Sequence, residues 1–284
     1  MYLFKKASDL QTYLQPYRSR NRTVAFVPTM GALHQGHLSL IAAAAQAAQC
    51  TVCSIFVNPT QFNEASDLQQ YPRLPEQDLE LLHNSGCQAV FMPEVEEVYP
   101  AEEEVPVPDI DFGHLAAVME GEFRPGHFAG VAQVVNRLLS LVQPDLLFLG
   151  QKDYQQLQIV KSMVKQLQLP VEVVGAPTVR EADGLAMSSR NLRLSKGQRQ
   201  SALAIYGVLQ QLPQWAANGL TVAEAQQKAL AALSNAGLRP EYVEIAAPDT
   251  LQPLSGFVPG NEAVACIAAW AGPVRLIDNM LFTV

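Results

Sequence analysis

The chain has 284 residues, 49% of them hydrophobic and 16% charged, with 19 Lys plus Arg against 27 Asp plus Glu and a formal net charge of −8. That apolar content excludes global disorder, and at roughly 150 residues per domain the length suits one large domain or two modest ones. The acidic balance argues against a protein that wraps nucleic acid, although a local basic pocket on an acidic surface can still hold a small anion.

The N-terminus, MYLFKKASDL, carries charges where a secretory signal needs its apolar stretch. The longest apolar run, Ala263 to Ala271, is far short of the ~18–20 residues that span a bilayer. A cytoplasmic protein with no membrane partner is expected. TVAFVPTM reads as a strand, His37 to Gln49 as an Ala-rich helix and TVCSIFVN as the next strand. Pro75 to Ser85 reads as a helix, QAVFMP as a strand, and the Pro- and acid-rich segment Glu94 to Asp111 as a solvated loop. Gly130 to Val142 is helical, DLLFLG a strand, Tyr154 to Leu167 a helix, and VEVVGAP closes the series. Such alternation predicts an α/β, doubly wound parallel sheet with helices on both faces and right-handed crossovers.

Near residue 178 the pattern changes. TVREADGLAMSSRNLRLS is polar and aperiodic; helices over Lys196 to Leu212 and Val222 to Ala236 follow, then the strand-like EYVEIA and AVACIAAWA, with VRLIDNML after them. The expected organisation is a Rossmann-like domain over 1–178 and a smaller α+β lid domain over 179–284. Cys50, Cys53, Cys87 and Cys266 invite a zinc or redox reading. However, residues three apart on a strand point to opposite faces, so four core thiols are expected.

The sharpest motif is PTMGALHQGH, Pro28 to His37, between a strand and a helix. Gly31 suits a tight turn, and Gly36, lacking a side chain, lets a ligand approach the backbone. The helix N-terminus offers free N–H groups and the positive end of the dipole to a phosphate. His34 and His37 can face one ligand and donate hydrogen bonds as charge grows at an attacked α-phosphorus. The string matches neither a Walker A loop nor the G-x-G-x-x-G of dinucleotide folds.

PTMGALHQGH, SIFVNPTQF, YPR, FRPGHFAGV, GQKDYQQLQI and GLAMSSRN occur in that order. Together they closely resemble the pantothenate synthetase (pantoate–β-alanine ligase) family of the H-x-G-H nucleotidyltransferases, along essentially the whole chain. The resemblance implies an ATP-dependent ligase that condenses pantoate with β-alanine through a pantoyl adenylate, releasing AMP and pyrophosphate. It implies ATP as substrate, Mg2+ with it and a homodimer, and no nucleic-acid partner.

The resemblance also distributes roles. His34, His37 and Lys152 are the catalytic candidates, Lys152 as a point charge for phosphate. ATP is expected on Met30, Gly31, Ala32, Leu33, His34, Gln35, Gly36 and His37, on Gly150, Gln151, Lys152 and Asp153, and on Val179, Met187, Ser188, Ser189 and Arg190. Asp153 would accept from ribose hydroxyls, the backbone near Val179 and Met187 would meet adenine, and Arg190 would grip the β- and γ-phosphates. Gln61 and Gln156 would hold pantoate; Asn58, Gln61 and Arg124 would hold β-alanine, although Arg124 equally suits ordering its own loop. Many members have Glu where this chain has Gln151, which matters if that side chain positions Lys152. Asp78 is a candidate contact for Mg2+, whose protein ligands the sequence leaves unassigned. A dinucleotide-forming H-x-G-H enzyme and a noncatalytic nucleotide-binding protein are the rival readings.

Overall fold

The computed structural model describes residues 1–59, 69, 71–101 and 109–284. Gln61 and part of the Glu94–Asp111 segment therefore lie outside the described residues. β1 (Tyr2–Phe4), β2 (Val24–Thr29), β3 (Cys50–Ile55), β4 (Ala89–Phe91), β5 (Leu146–Gly150) and β6 (Glu172–Ala176) form one sheet in the order β1-β4-β3-β2-β5-β6. Every pairing in it is parallel. The runs are apolar almost throughout because helices cover both faces. Phe26 packs on one face with α1 (Ala7–Arg18), α4 (His127–Val142) and α5 (Tyr154–Gln166), whereas Ala25 and Val27 pack on the other with α2 (Gln35–Ala47) and α3 (Pro75–His83).

Cys50 belongs to the first of these cores and Cys53 to the second, as the two-residue period requires. All four thiols are buried and outside any disulfide, and burial pushes Cys50 up to about 12 and Cys87 up to about 11.

Strand order positions the site. β2 runs beside β3 along its whole length, through Thr29↔Ile55. Its pairing with β5 stops at Phe26↔Leu147, while β5 continues beside β6 as far as Gly150↔Ala176. Pro28, which has no N–H to give a neighbour, stands where β2 has parted from β5. The carboxyl ends of β2 and β5 thus diverge at the point where successive strands switch from one side of β2 to the other. A parallel sheet opens a ligand crevice at such a switch point.

β7 (Arg239–Ala246), β8 (Glu262–Ala271) and β9 (Val274–Thr283) make an antiparallel sheet in that order, covered by α6 (Lys196–Ala217) and α7 (Val222–Asn235). β8 is apolar on both faces for a reason the sequence hides. Ala265, Ile267 and Ala269 face the helices, while Val264, Cys266 and Ala268 pack against Met119 and Tyr154 from the first half of the chain.

The fold departs from the sequence reading at several points. Sequence patterning does not mark β1 and α1: β1 is a three-residue edge strand, and α1 carries Pro16 internally. α4 begins at His127 rather than Gly130. Within the expected loop, Val95–Val98 forms a helical turn whose Val98 is buried and whose Glu97 accepts the Ala7 amide at 2.9 Å. Among the described residues, no helix is long and apolar enough to cross a membrane.

Candidate active site

The turn after β2 is built by hydrogen bonds that the local sequence does not announce. Thr29 Oγ1 donates to Ser54 O at 2.6 Å and accepts the Gly31 amide at 3.2 Å. Gly31 has φ +78° and Ala32 φ +49°, both in the left-handed region. Asp78, only 1% exposed, reaches in from α3 and accepts the amides of Ala32 at 2.9 Å and Leu33 at 2.7 Å. The Asp78 carboxylate is thus a clamp on this turn, with both oxygens engaged. Gly31, Ala32 and Leu33 are buried in the turn, and Gln35 is exposed on α2.

α2 starts two residues earlier than expected, at Gln35, with His34 as its N-cap. His34 Nδ1 accepts the Gly36 amide at 3.1 Å, and His37 Nδ1 accepts the His34 amide at 3.3 Å. A neutral imidazole that accepts at Nδ1 carries its proton on Nε2. Each ring therefore keeps Nε2–H for a ligand. The ring centroids lie 4.1 Å apart at 36°. Burial and then the Lys152 ammonium pull His34 down to about 4; burial, His34 and Lys152 pull His37 down to about 3. Both rings are consequently neutral donors at pH 7. Gly36 lines this face of the site, and a second reason for glycine there is the His34 ring, which a Cβ would meet at 2.9 Å.

The second wall comes from β5. Gly150 leads into a turn of 3-10 helix, Gln151–Asp153, that precedes α5. Lys152 Nζ lies 3.8 Å from Asp153 Oδ1, with 18% of the lysine side chain exposed. Pro28 and Met30, His34 and His37, and Lys152 and Gln156 line one cavity of about 230 Å3. Gln151 lines neither this cavity nor its neighbours; its side chain lies against Gly175 of β6.

The polar segment after β6 supplies the third wall. The Met187 amide donates to Val179 O at 3.0 Å, closing a hairpin that returns Ser188 to the cavity. Ser188 caps the short helix Ser189–Arg193 by accepting the Arg190 amide at 3.3 Å. Val179, Met187, Ser188, Ser189 and Arg190 all face the same 230 Å3 space. Two further cavities, of about 100 and 450 Å3, share Lys152, Asp153 and Arg190 with it, so the three form one cleft.

Arg124 lies at the two adjoining cavities rather than at the histidines. Its Nη1 is 3.6 Å from Glu120 Oε2 and 3.1 Å from His127 Nε2. Glu120 also receives both Nη atoms of Arg275, at 2.8 and 2.7 Å, and the Tyr242 hydroxyl at 2.8 Å. Burial disfavours the charged carboxylate, yet Arg275 outweighs it and holds Glu120 below its ordinary value. Asn58 is fully buried, accepts the Tyr99 hydroxyl at 3.3 Å and lines none of these cavities. The structure therefore brings the histidines, Lys152, Gln156 and the 187–190 segment together, and keeps Asn58 and Gln151 out of the cleft walls. Asp78 as a clamp and the Glu120–Arg275 pair are not legible in the sequence, because their partners lie 45 to 155 residues away.

The pantoate-beta-alanine ligase family pattern matches residues 2–281 of the chain. A pantothenate synthetase of Porphyromonas gingivalis is 46% identical over 289 residues, covering 99% of each sequence. The crystal structure of pantothenate synthetase from Thermus thermophilus superposes with a TM-score of 0.91 at 44% identity, covering 99% of both chains. The pantoate-beta-alanine ligase of Francisella tularensis, complexed with beta-gamma ATP and beta-alanine, superposes with a TM-score of 0.79 at 33% identity, covering 99% of this chain and 97% of that one.

Proposed function

The chain belongs to the pantoate–β-alanine ligase family, and from that premise we propose that its cleft joins pantoate to β-alanine at the expense of ATP. In the first step a pantoate carboxylate oxygen attacks the α-phosphorus of ATP, and the bond to the β-phosphate bridging oxygen breaks. Pyrophosphate leaves and a pantoyl adenylate remains. In the second step the β-alanine amine attacks the activated acyl carbon, the acyl–oxygen bond breaks, and AMP departs with the oxygen that pantoate contributed.

One observation carries this reading: two neutral histidines with free Nε2–H groups, Lys152 and the Ser188–Arg190 segment face a single cavity at the switch point of the sheet. Donors already fixed in place stabilise charge that develops on a phosphate without reorganising at the moment of reaction. The paired Nε2–H groups suit the α-phosphate, Lys152 neutralises the chain of phosphates, and Arg190 with the Ser188 and Ser189 hydroxyls suits its far end. Asp153, 51% exposed at the rim, suits ribose hydroxyls.

Gln156 lines both the histidine cavity and the one beside Arg124, a placement that suits pantoate between the two reaction partners. Arg124 would hold the β-alanine carboxylate; Gln61 would complete the pantoate site. Mg2+ would arrive with ATP. Among the described residues no group of three or more His, Cys, Asp or Glu is placed to hold a metal, and Asp78 spends its oxygens on amides. Phosphate oxygens and water would carry most of the ion's coordination.

The same reading divides the chain near residue 178, with 179–284 as a lid over the phosphate end of ATP, and assigns a cytoplasmic homodimer. The separate apolar core of the C-terminal sheet supports the division, and the thiols outside any disulfide support the compartment. Exchange of labelled pyrophosphate into ATP tests the function. It should require pantoate and Mg2+ and proceed without β-alanine. Exchange without pantoate, or only with β-alanine, would contradict the adenylate.

A further inference from the structure

β9 alternates buried and half-buried residues until Asp278 and Asn279, two consecutive polar residues that are only 5% and 6% exposed. Packing alone gives no reason to bury an aspartate and an asparagine side by side in a strand. Their hydrogen bonds do. One nitrogen, Asn279 Nδ2, donates to Gln151 O at 2.9 Å and to Lys152 O at 2.7 Å. Both of its protons are thereby committed to two consecutive carbonyls of the turn that carries Lys152. Fixing two adjacent carbonyl directions fixes the peptide planes on either side of the Lys152 Cα, and with them the direction in which its side chain leaves the backbone.

Asp278 anchors the other end. It accepts from Arg180 Nη1 at 2.6 Å and Nη2 at 3.1 Å, and its Oδ1 accepts the Asn279 amide at 2.8 Å. Arg180 opens the hairpin that carries Met187, and its guanidinium lies 3.9 Å over the Tyr206 ring. The dipeptide therefore joins the Lys152 turn of the first sheet to the hairpin that forms the facing wall, from a strand that belongs to neither.

We infer that Asn279 is a positioning residue for the adenylation step, acting through Lys152 by holding the Gln151–Lys152 carbonyls. The inference rests on Lys152 engaging the ATP phosphates, as proposed above. Displacing a phosphate ligand by an ångström costs on the order of 100-fold in rate. Asn279→Ala should accordingly lower kcat for pantoate-dependent pyrophosphate exchange by about 10- to 100-fold, with a smaller change in the KM for ATP. Asn279→Ser, which keeps one donor, should fall between that variant and the wild type.

The deciding experiment is a double-mutant cycle on the exchange reaction, with Asn279→Ala made beside Lys152 and beside Lys152→Ala. A loss that disappears in the Lys152→Ala background is the expected result. A general loss of folded protein would reduce both backgrounds equally. Equal losses in the two backgrounds would overturn the inference while leaving Lys152 in its role. Wild-type exchange in Lys152→Ala would overturn the role of Lys152 and the inference with it.

Discussion

Replacing Asp78 tests the construction of the nucleotide turn. Its carboxylate is 1% exposed and accepts two backbone amides, at 2.9 and 2.7 Å, in a turn whose residues 31 and 32 have positive φ. Hydrogen bonds to a charged group contribute about 1.5–3 kcal/mol each, and an orphaned buried amide retains its desolvation cost. Asp78→Ala removes both bonds, so about 3–6 kcal/mol is at stake, a large share of the ~5–15 kcal/mol by which domains are stable. Asp78→Asn keeps the shape and one acceptor but turns an NH2 toward the second amide, and should cost about 2–3 kcal/mol. Urea midpoints give both values. Because His34 follows the clamped residues directly, pyrophosphate exchange should fall by about tenfold or more in either variant when measured on folded protein. The Mg2+ concentration for half-maximal exchange should stay where it is. Wild-type stability in Asp78→Asn, or a raised Mg2+ requirement without loss of stability, would refute the clamp and return Asp78 to the metal.

Gly36→Ala should reduce exchange about tenfold or more with little change in thermal stability, since its Cβ would stand 2.9 Å from the His34 ring and displace it; an unchanged rate would mean the ring position is immaterial. Gln151→Glu should leave the KM for ATP within about twofold, because the side chain lies on Gly175 outside the cleft, and a larger shift in a titration of ATP would place it in the site. The histidines also set an acid limit. Their folded values of about 4 and about 3 lie below the ordinary 6.5, so the unfolded chain takes up protons first as pH falls. Stability contributed by the neutral rings is full above about pH 6.5 and is lost between there and the folded values. His37→Gln should therefore flatten the fall of the urea midpoint between about pH 6.5 and about pH 4, and parallel slopes in the two proteins would show that His37 does not titrate this way.

The parts of the molecule legible in the sequence are those whose cause is local. Strands β2 to β6 announce themselves as short apolar runs because helices cover both faces of the sheet, whereas the three-residue edge strand β1 does not. The His34–His37 motif is legible because a strand, a glycine turn and a helix start fall close together. The clamp from Asp78, the bidentate Glu120–Arg275 pair and the hold of Asn279 on the Lys152 turn connect residues 45 to 155 apart, and no window of sequence contains both partners. Asn58, read from an Asn-Pro step at a strand end, is buried with its Oδ1 accepting the Tyr99 hydroxyl, a partner 41 residues away that the local sequence does not point to. Gly36 lines the histidine cavity, and the His34 ring beside it is a further reason for the missing side chain that the motif does not reveal.

The central claim is that the pantoate carboxylate attacks phosphorus before the amine attacks carbon. Pantoate labelled with 18O in its carboxylate tests this most directly, by mass analysis of both products after turnover with ATP, Mg2+ and β-alanine. The adenylate route predicts one 18O in the phosphate of each AMP and one fewer in the amide product. AMP free of label, with the oxygen lost from pantoate found in the pyrophosphate or in water instead, would contradict the mechanism.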